Sequence, residues 1–316
     1  MLKYNRNYRL EVEGGDSQMH IFQYPLTLEF NIQRAALGSA NNGTLRLYNL
    51  SPNTRKAIFK DQYEIEKNFR AVKLSVGYGD SLSLILNGHI MEAKSFREEG
   101  STHFVTEIHC YDWSYSMVNA TSDFTLGPPE YALPLKRSTI VERLRQDLTK
   151  AKGAPPLALG GLSDFDGKDP APYNRPFVAS GNTWDILKHE TNDHCFIDNG
   201  ILHCLADGDY IKGDVEIIDA STGLLSTPKK AQYMVKIDIL MEPAIKIGQL
   251  IELNSSSETI YNGRYKVIGI THTGIISGAV NGKCRTSLCL MNDNLASSFI
   301  PTTTTSTPTQ LEGVLG

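Results

Sequence analysis

The sequence predicts a β-rich α+β protein in which one β unit occurs twice around a smaller α/β insertion. Three observations predict this. The run Tyr261–Gly274, followed by Lys283–Leu290, reads as a turn, a strand, a loop and a returning strand. The block Asn87–Phe96, returning through Phe104–Asp112, has the same layout. Between them, from Ala120 to Gly213, the alternation gives way to helical spacing. Asn262–Gly263 is a two-residue hairpin signal, since both positions tolerate positive φ. After it Tyr265, Val267, Gly269 and Thr271 alternate with Lys266, Ile268 and Ile270, and the apolar content of both sets predicts a strand covered on most of both sides. If the two blocks are copies, the Asn87–Gly88 and Asn262–Gly263 turns are expected at equivalent positions.

In chain order, Leu26–Ile32, Gly43–Leu50, Val72–Tyr78, Leu82–Ala93 and His103–Tyr111 read as the strands of the first unit. One helix interrupts them: Ser51 is a good N-cap, Pro52 suits the first helical position, and Ile58 and Phe59 supply the apolar edge. In the insertion, Ser138 is expected to cap a helix carrying Ile140, Val141, Leu144 and Leu148, with Arg143, Arg145 and Lys150 towards its end. Lys152–Pro176 is rich in Gly, Pro and Asp without a period and reads as a long surface loop. Thr183 is expected to cap a second helix through Trp184, Ile186 and Leu187, followed by a hairpin over Cys195–Leu205. Strands resume with Tyr233–Ile239, Gln249–Leu253, Arg264–His272 and Cys284–Leu290. Pro301–Gln310 is a Thr-rich, low-complexity segment too polar to pack a core.

Composition narrows the function classes. The chain has 316 residues, a hydrophobic fraction of 41% and a charged fraction of 21%, values typical of a soluble globular protein of two or three compact units. Its formal net charge of −4 and lack of a Lys/Arg cluster argue against a protein that grips nucleic acid. Met1–Leu10 alternates polar and apolar residues, and no stretch has the length of a transmembrane helix, so a cytoplasmic product is expected. The five cysteines (110, 195, 204, 284 and 289) are odd in number and dispersed, which fits reduced thiols. A turn at Asn199–Gly200 would set Cys195 directly opposite Cys204 at a non-hydrogen-bonded position, where either a disulfide or two packed thiols is geometrically allowed.

No constellation carries chemistry. His189, His194, Cys195, His203 and Cys204 suggest zinc by composition, but in that hairpin register Cys195 and Cys204 face one way while His194 and His203 face the other, so four ligands do not converge. Asp207, Asp209, Asp214, Glu216 and Asp219, with only Lys212 among them, have no diagnostic carboxylate spacing and read as a solvated acidic face. Gly77–Gly79 is a strand end entering a turn, since the third glycine and helix of a nucleotide fingerprint are missing. We assign no catalytic, cofactor-binding or metal-ligating residue from the sequence, and expect no cofactor and no enzymatic activity.

The order of segments resembles a known family. Thr44–Arg55, Val72–Tyr78, Asn87–Ile90 and the strand ending at Tyr111–Asp112 look like the first tube domain of baseplate hub proteins of contractile-tailed phages. Gly181–Leu187 with Asp198–Leu202 resembles the hub's middle insertion. Thr222–Pro228, Leu240–Pro243, Ile247–Leu253 and Asn262–Val267, ending at His272, look like the second tube domain. The resemblance runs over residues 20–292 and extends to phage late control protein D and the hub of type VI secretion spikes. It implies two similar β-barrel-like tube domains, at 1–118 and 221–293, an α/β insertion domain at 119–220, and a flexible Thr-rich tail at 294–316. It also implies a homotrimeric, pseudo-sixfold ring in the virion tail baseplate, assembled in the host cytoplasm, that adapts a hexameric tail tube to a threefold spike. The implied partners are the tail tube or a tube-initiator protein, a separate spike protein and the tape-measure protein, with DNA passing through without specific binding. A distal tail protein and a cell-wall hydrolase are the alternatives.

Overall fold

In the computed structural model, the structure describes residues 5–36, 40–61, 69–128, 130–165, 173–206, 208–231, 234–280 and 282–292. The first part of the chain forms β1 (Arg6–Glu13), β2 (Met19–Gln23), β3 (Leu28–Ala35), β4 (Asn42–Tyr48), α1 (Pro52–Ile58), β5 (Ala71–Tyr78), β6 (Ser81–Arg97) and β7 (Phe104–Asp112). The middle forms α2 (Tyr115–Asn119), β8 (Thr121–Leu126), α3 (Arg137–Thr149), β9 (Ala158–Leu162), β10 (Phe177–Asn182), α4 (Thr183–Thr191), β11 (Cys195–Asp198) and β12 (Ile201–Cys204). The last part forms β13 (Ile211–Ile218), β14 (Lys229–Ala231), β15 (Met234–Leu240), β16 (Gln249–Leu253), a 3-10 turn at Thr259–Tyr261, β17 (Gly263–Ile276) and β18 (Cys284–Asn292). The tail 294–316 lies outside the described residues. No helix among the described residues is long and apolar enough to cross a membrane.

The first and last parts share one sheet of 13 strands, in the order β14-β15-β18-β17-β3-β4-β7-β6-β5-β1-β2, with β16 beside β17 and β13 beside β16. Numbered by their own sequence, β3, β4, β5, β6 and β7 lie in the order first-second-fifth-fourth-third, and β14, β15, β16, β17 and β18 lie in the same order. Every pairing inside either set is antiparallel. Each set also has a long strand that bulges against the strand returning from it, at Ile90/Glu92 in β6 and at Val267/Gly269 in β17. A bulge bends the strand and strengthens its twist, so both long strands change partners near it. The units differ beyond the third strand, where β5 meets antiparallel β1 and β16 meets parallel β13. β13 falls within the segment 119–220 expected as the insertion, yet it is hydrogen bonded to the large sheet.

Three apolar clusters follow this plan. One is centred on Phe30, Leu45, Leu74 and Ile90, one on Ile140, Leu144, Leu187 and Leu202, and one on Ile237, Ile251, Val267 and Leu290. They interlock: Met241 and Ile276 of the last part join the first cluster, and Phe196 of the insertion joins the third.

The structure meets some of the local sequence signals and overrides others. Ser51 caps α1 as expected, its Oγ accepting from Thr54 N at 3.1 Å with Pro52 in the first turn. The expected α3 cap fails, because α3 starts at Arg137 and Ser138 is already helical. Arg137 is buried with its guanidinium 3.7 Å from the buried Glu190 carboxylate, and the N-cap residue, Lys136, makes no side-chain cap bond. The α4 cap is Asn182 and not Thr183: Asn182 Oδ1 accepts from Asp185 N, while the Thr183 hydroxyl is buried against Ser122. The long loop expected over 152–176 contains β9, which pairs parallel to β12. Residues 166–172 of it lie outside the described residues.

Neither Asn-Gly pair of the repeat makes a turn. Asn87 and Gly88 sit inside β6, opposite Lys73 and Val72, and the turn from β5 falls at Gly79, whose φ is +56°. A Cβ at residue 88 would collide with the Tyr111 carbonyl oxygen, so close strand approach is what needs this glycine. Asn262 has φ −68° and closes a longer connection, its Oδ1 accepting from Ser255 N at 2.7 Å. Asn199–Gly200 does turn, with φ of +51° and +80°. Replacing Ser51 by Ala should lower stability by about 1 kcal/mol through loss of the α1 cap. The check is a urea unfolding curve with a lower midpoint and an unchanged slope.

Candidate assembly interface

The two units meet where β17 lies along β3, from Gly269 opposite Ala35 to Ile276 opposite Leu28. Every second residue of β17 from Ile270 to Ile276 is buried, the pattern of a strand that turns one face to the core while both its edges are paired. Alternation alone identified the strand; its partner, more than two hundred residues away, left no local signal.

A buried polar cluster locks this junction to the insertion. The Arg34 guanidinium of β3 pairs with Asp198 of β11 at 3.2 Å, donates to the Ile245 carbonyl at 3.3 Å and reaches His272 Nε2 of β17 at 3.1 Å. Arg34 can only donate, so His272 Nε2 accepts and its Nδ1 carries the proton towards Thr286 Oγ1, 2.9 Å away. Burial, and then the Arg34 charge, hold the His272 imidazolium well below its ordinary range, which keeps the ring neutral. Removing one member of such a buried pair leaves an uncompensated charge, at a typical cost of roughly 3–5 kcal/mol. Around it, Asn41 Oδ1 accepts from Ala35 N and its Nδ2 donates to Ile197 O, while Asn87 N donates to Asn199 Oδ1. The Asn199 turn therefore serves as a docking point on β6 as well as closing the hairpin.

Asp112, at the end of β7, stands beside this cluster and is 1% exposed. Among the described residues neither of its carboxyl oxygens has a partner of good hydrogen-bond geometry, although Ser114 and Asn41 lie near enough to temper the rise in its pKa. Burial first, with the nearby Asp198 charge adding to it, pushes its pKa up to about 7. His89, in β6 and stacked on Trp113 at 5.6 Å between ring centres, is shifted in the opposite sense, to about 4, by burial and then by Lys60.

Among the described residues the sheet leaves free margins at β2, β13, β14 and the outer half of β6. Among the described residues, the outer half of β6 is exposed at Lys94, Ser95, Phe96 and Arg97, while Ala93 exchanges backbone hydrogen bonds with Lys60. The corresponding half of β17 is the half that β3 covers. β14 pairs with β15 on one side and forms one end of the sheet, β2 forming the opposite end, with Lys229 and Lys230 exposed. Lysines on a free edge discourage indiscriminate strand pairing.

The sequence-based chemistry candidates do not converge. Cys195 and Cys204 are directly opposite, as the hairpin register requires, and are buried free thiols in the insertion core. His203 lies on the other face, stacked on Phe196 at 5.1 Å, with its Nδ1 accepting from Gly161 N. The His189 side chain is 81% exposed and faces Glu190 at 3.1 Å. No group of three His, Cys, Asp or Glu among the described residues is placed to hold a metal ion. Asp219 caps its own turn through Ser221 N and Thr222 N. Asp207 and the side chains of Lys212 and Asp214 lie outside the described residues.

A family model described as Baseplate hub gp41 matches residues 151–273. A tail protein from Neisseria meningitidis MC58 superposes with a TM-score of 0.57 at 10% identity, covering 93% of this chain and 98% of that one. The 43 kDa tail protein of prophage MuSo2 from Shewanella oneidensis gives 0.56 at 10% identity, covering 92% and 99%. An E. coli type VI secretion component, described as structurally similar to T4 tail proteins gp27 and gp5, gives 0.51 at 10% identity, covering 89% and 76%. No curated protein sequence matches. The chain therefore resembles baseplate hubs in sequence over residues 151–273, and shares the fold of these tail proteins over nearly its whole length.

A prediction follows from Asp112. The unfolded chain ionises it near the ordinary value of 3.8, whereas the folded chain keeps the proton to about pH 7. Folding thus binds a proton in between, and this group's contribution to stability declines as pH rises from about 4 to about 7. Asp112→Asn should be more stable than the unsubstituted chain at pH 7.5, by roughly 1–4 kcal/mol at about 1.4 kcal/mol per pKa unit, with the gain vanishing towards pH 4. Urea midpoints of both proteins across that range check it. His89, with its depressed pKa, costs stability as pH falls from about 6.5 to about 4 in both proteins and drops out of the difference.

Proposed function

We propose that this relative of phage baseplate hubs is itself a structural hub: three copies form a closed, pseudo-sixfold ring at the end of a tail tube, above a threefold spike. The carrying observation is the pair of five-strand units with one strand order, joined edge to edge in a single sheet. Two equivalent units per chain let three chains present six similar surfaces upward and three downward, which reconciles a hexameric tube with a trimeric spike. A hexamer of single-unit chains would have no need of the repeat.

On this reading residues 1–118 and 221–293 are barrel-like tube domains and 119–220 is the insertion domain, with β13 lent to the second unit's sheet. The protein works by assembly and release, without catalysis, in the virion tail after assembly in the host cytoplasm. The open margins of β6 and β14 support a ring, because closure is the way a sheet removes its edges. The acidic balance supports a conduit that DNA crosses without being held, since a wall short of clustered Lys and Arg gives phosphates little to bind. The tube or its initiator, the spike and the tape-measure protein are the partners. The tail 294–316, rich in Thr and nearly uncharged, is a connector to the spike.

Native mass spectrometry and a top-view reconstruction should find three copies per ring. Six copies, each placing one unit in the ring, would contradict the reading. Deleting 294–316 should leave the ring intact and weaken retention of the spike in pull-down; equal retention would remove the connector role.

A further inference from the structure

We infer that neighbouring copies join by antiparallel pairing of β6 of one with β14 of the next, in a single register that sets Ser95 opposite Lys230. This rests on the ring reading above and specifies its contact. The fold supplies a template, because one junction between units, β17 on β3, is already made within the chain.

The internal repeat fixes the translation residue by residue. In the first unit Ile108 lies between Leu45 and Ala93; in the second Leu288 lies between Ile237 and Ile270. Ala93 therefore corresponds to Ile270, and Ser95, two residues on, to His272. Likewise Gly43 corresponds to Val235, whose neighbours in the next strand are Ile32 and Lys230 respectively. Within the chain His272 pairs with Ile32. Between chains the same step pairs Ser95 with Lys230, Lys94 with Ala231, and Phe96 with Lys229.

Backbone direction agrees independently. Ile268 O accepts from Ala36 N, so every second residue of β17, His272 included, turns its peptide groups towards β3. Ala93 turns its N–H and C=O outward, where both meet Lys60, so Ser95 turns outward as well. Since Lys60 already occupies Ala93, the ladder between copies begins at Lys94 and runs towards Arg97. It is shorter than the eight-residue ladder of β3 on β17.

Phe96 and Lys229 would form a non-hydrogen-bonded pair, whose Cα atoms approach to about 4.5 Å, within disulfide reach. The test is the double variant Phe96→Cys/Lys229→Cys in the full chain, under mild oxidation, with Ser95→Cys/Lys229→Cys as a one-residue slip that puts the thiols on opposite faces. Non-reducing denaturing electrophoresis should show a covalent closed trimer for the first variant, reversed by dithiothreitol, and at least tenfold less for the second. Four of the native cysteines are buried, and the unsubstituted chain reports any background from them and from Cys289. A native trimer in which only the slipped pair cross-links, or neither does, overturns the register while leaving the ring standing. A chain that native mass shows is not trimeric removes the ring, and this contact with it.

Discussion

The pairing of β17 with β3 is the constraint from which the rest of the molecule follows. It joins two copies of one five-strand unit edge to edge, and so makes the inner edges of both disappear into a single sheet. Burial of Arg34 there is offset by the Asp198 carboxylate of the insertion, which balances its charge, and by acceptors at Ile245 and His272 of the last part. A buried ion pair of this kind adds little net stability against an apolar alternative, but it penalises any other arrangement. Its role here is to fix where the insertion sits relative to both units.

Much of this architecture was legible in the sequence, for identifiable reasons. Strands whose faces alternate, such as Leu28–Ala35 and Gly263–Ile276, were readable because burial on one side imposes a period of two. The facing of Cys195 and Cys204 was readable because Asn199–Gly200 can adopt positive φ without cost and fixes the register over a short hairpin. The errors share a cause. Asn87–Gly88 looked like a turn, but its glycine answers a neighbouring strand's carbonyl, which no local pattern reports. Ser138 and Thr183 looked like caps, but α3 begins one residue earlier, at Arg137, whose side chain is buried beside Glu190, and α4 is capped by Asn182 through Asp185 N. The absence of a local period over 152–176 hid β9, whose pairing to β12 is long-range.

The candidate interface was the least legible feature. Lys94–Arg97 and Lys229–Ala231 are unremarkable as sequence, and only the comparison of covered and uncovered halves of equivalent strands marks them. The same chemistry that keeps these edges soluble, with lysines at both, leaves them available to a partner presented at the correct angle. A heterologous contact of this type closes only if its rotation suits a whole number of copies. On the proposed ring, the intramolecular junction supplies that rotation, and one geometry would serve twice: once fixed by covalent linkage, once by association.

Backbone hydrogen exchange tests the central claim, that the junction within the chain and the junction between chains are one repeated step. In the isolated chain the amides of His272 and Gly274, covered by β3, should exchange only by large-scale opening, while those of Ser95 and Arg97 should exchange freely. In the assembled particle Ser95 and Arg97 should become protected to a similar degree, together with Lys230. Free exchange at Ser95 and Lys230 in the assembled particle, with His272 still protected, would contradict the account.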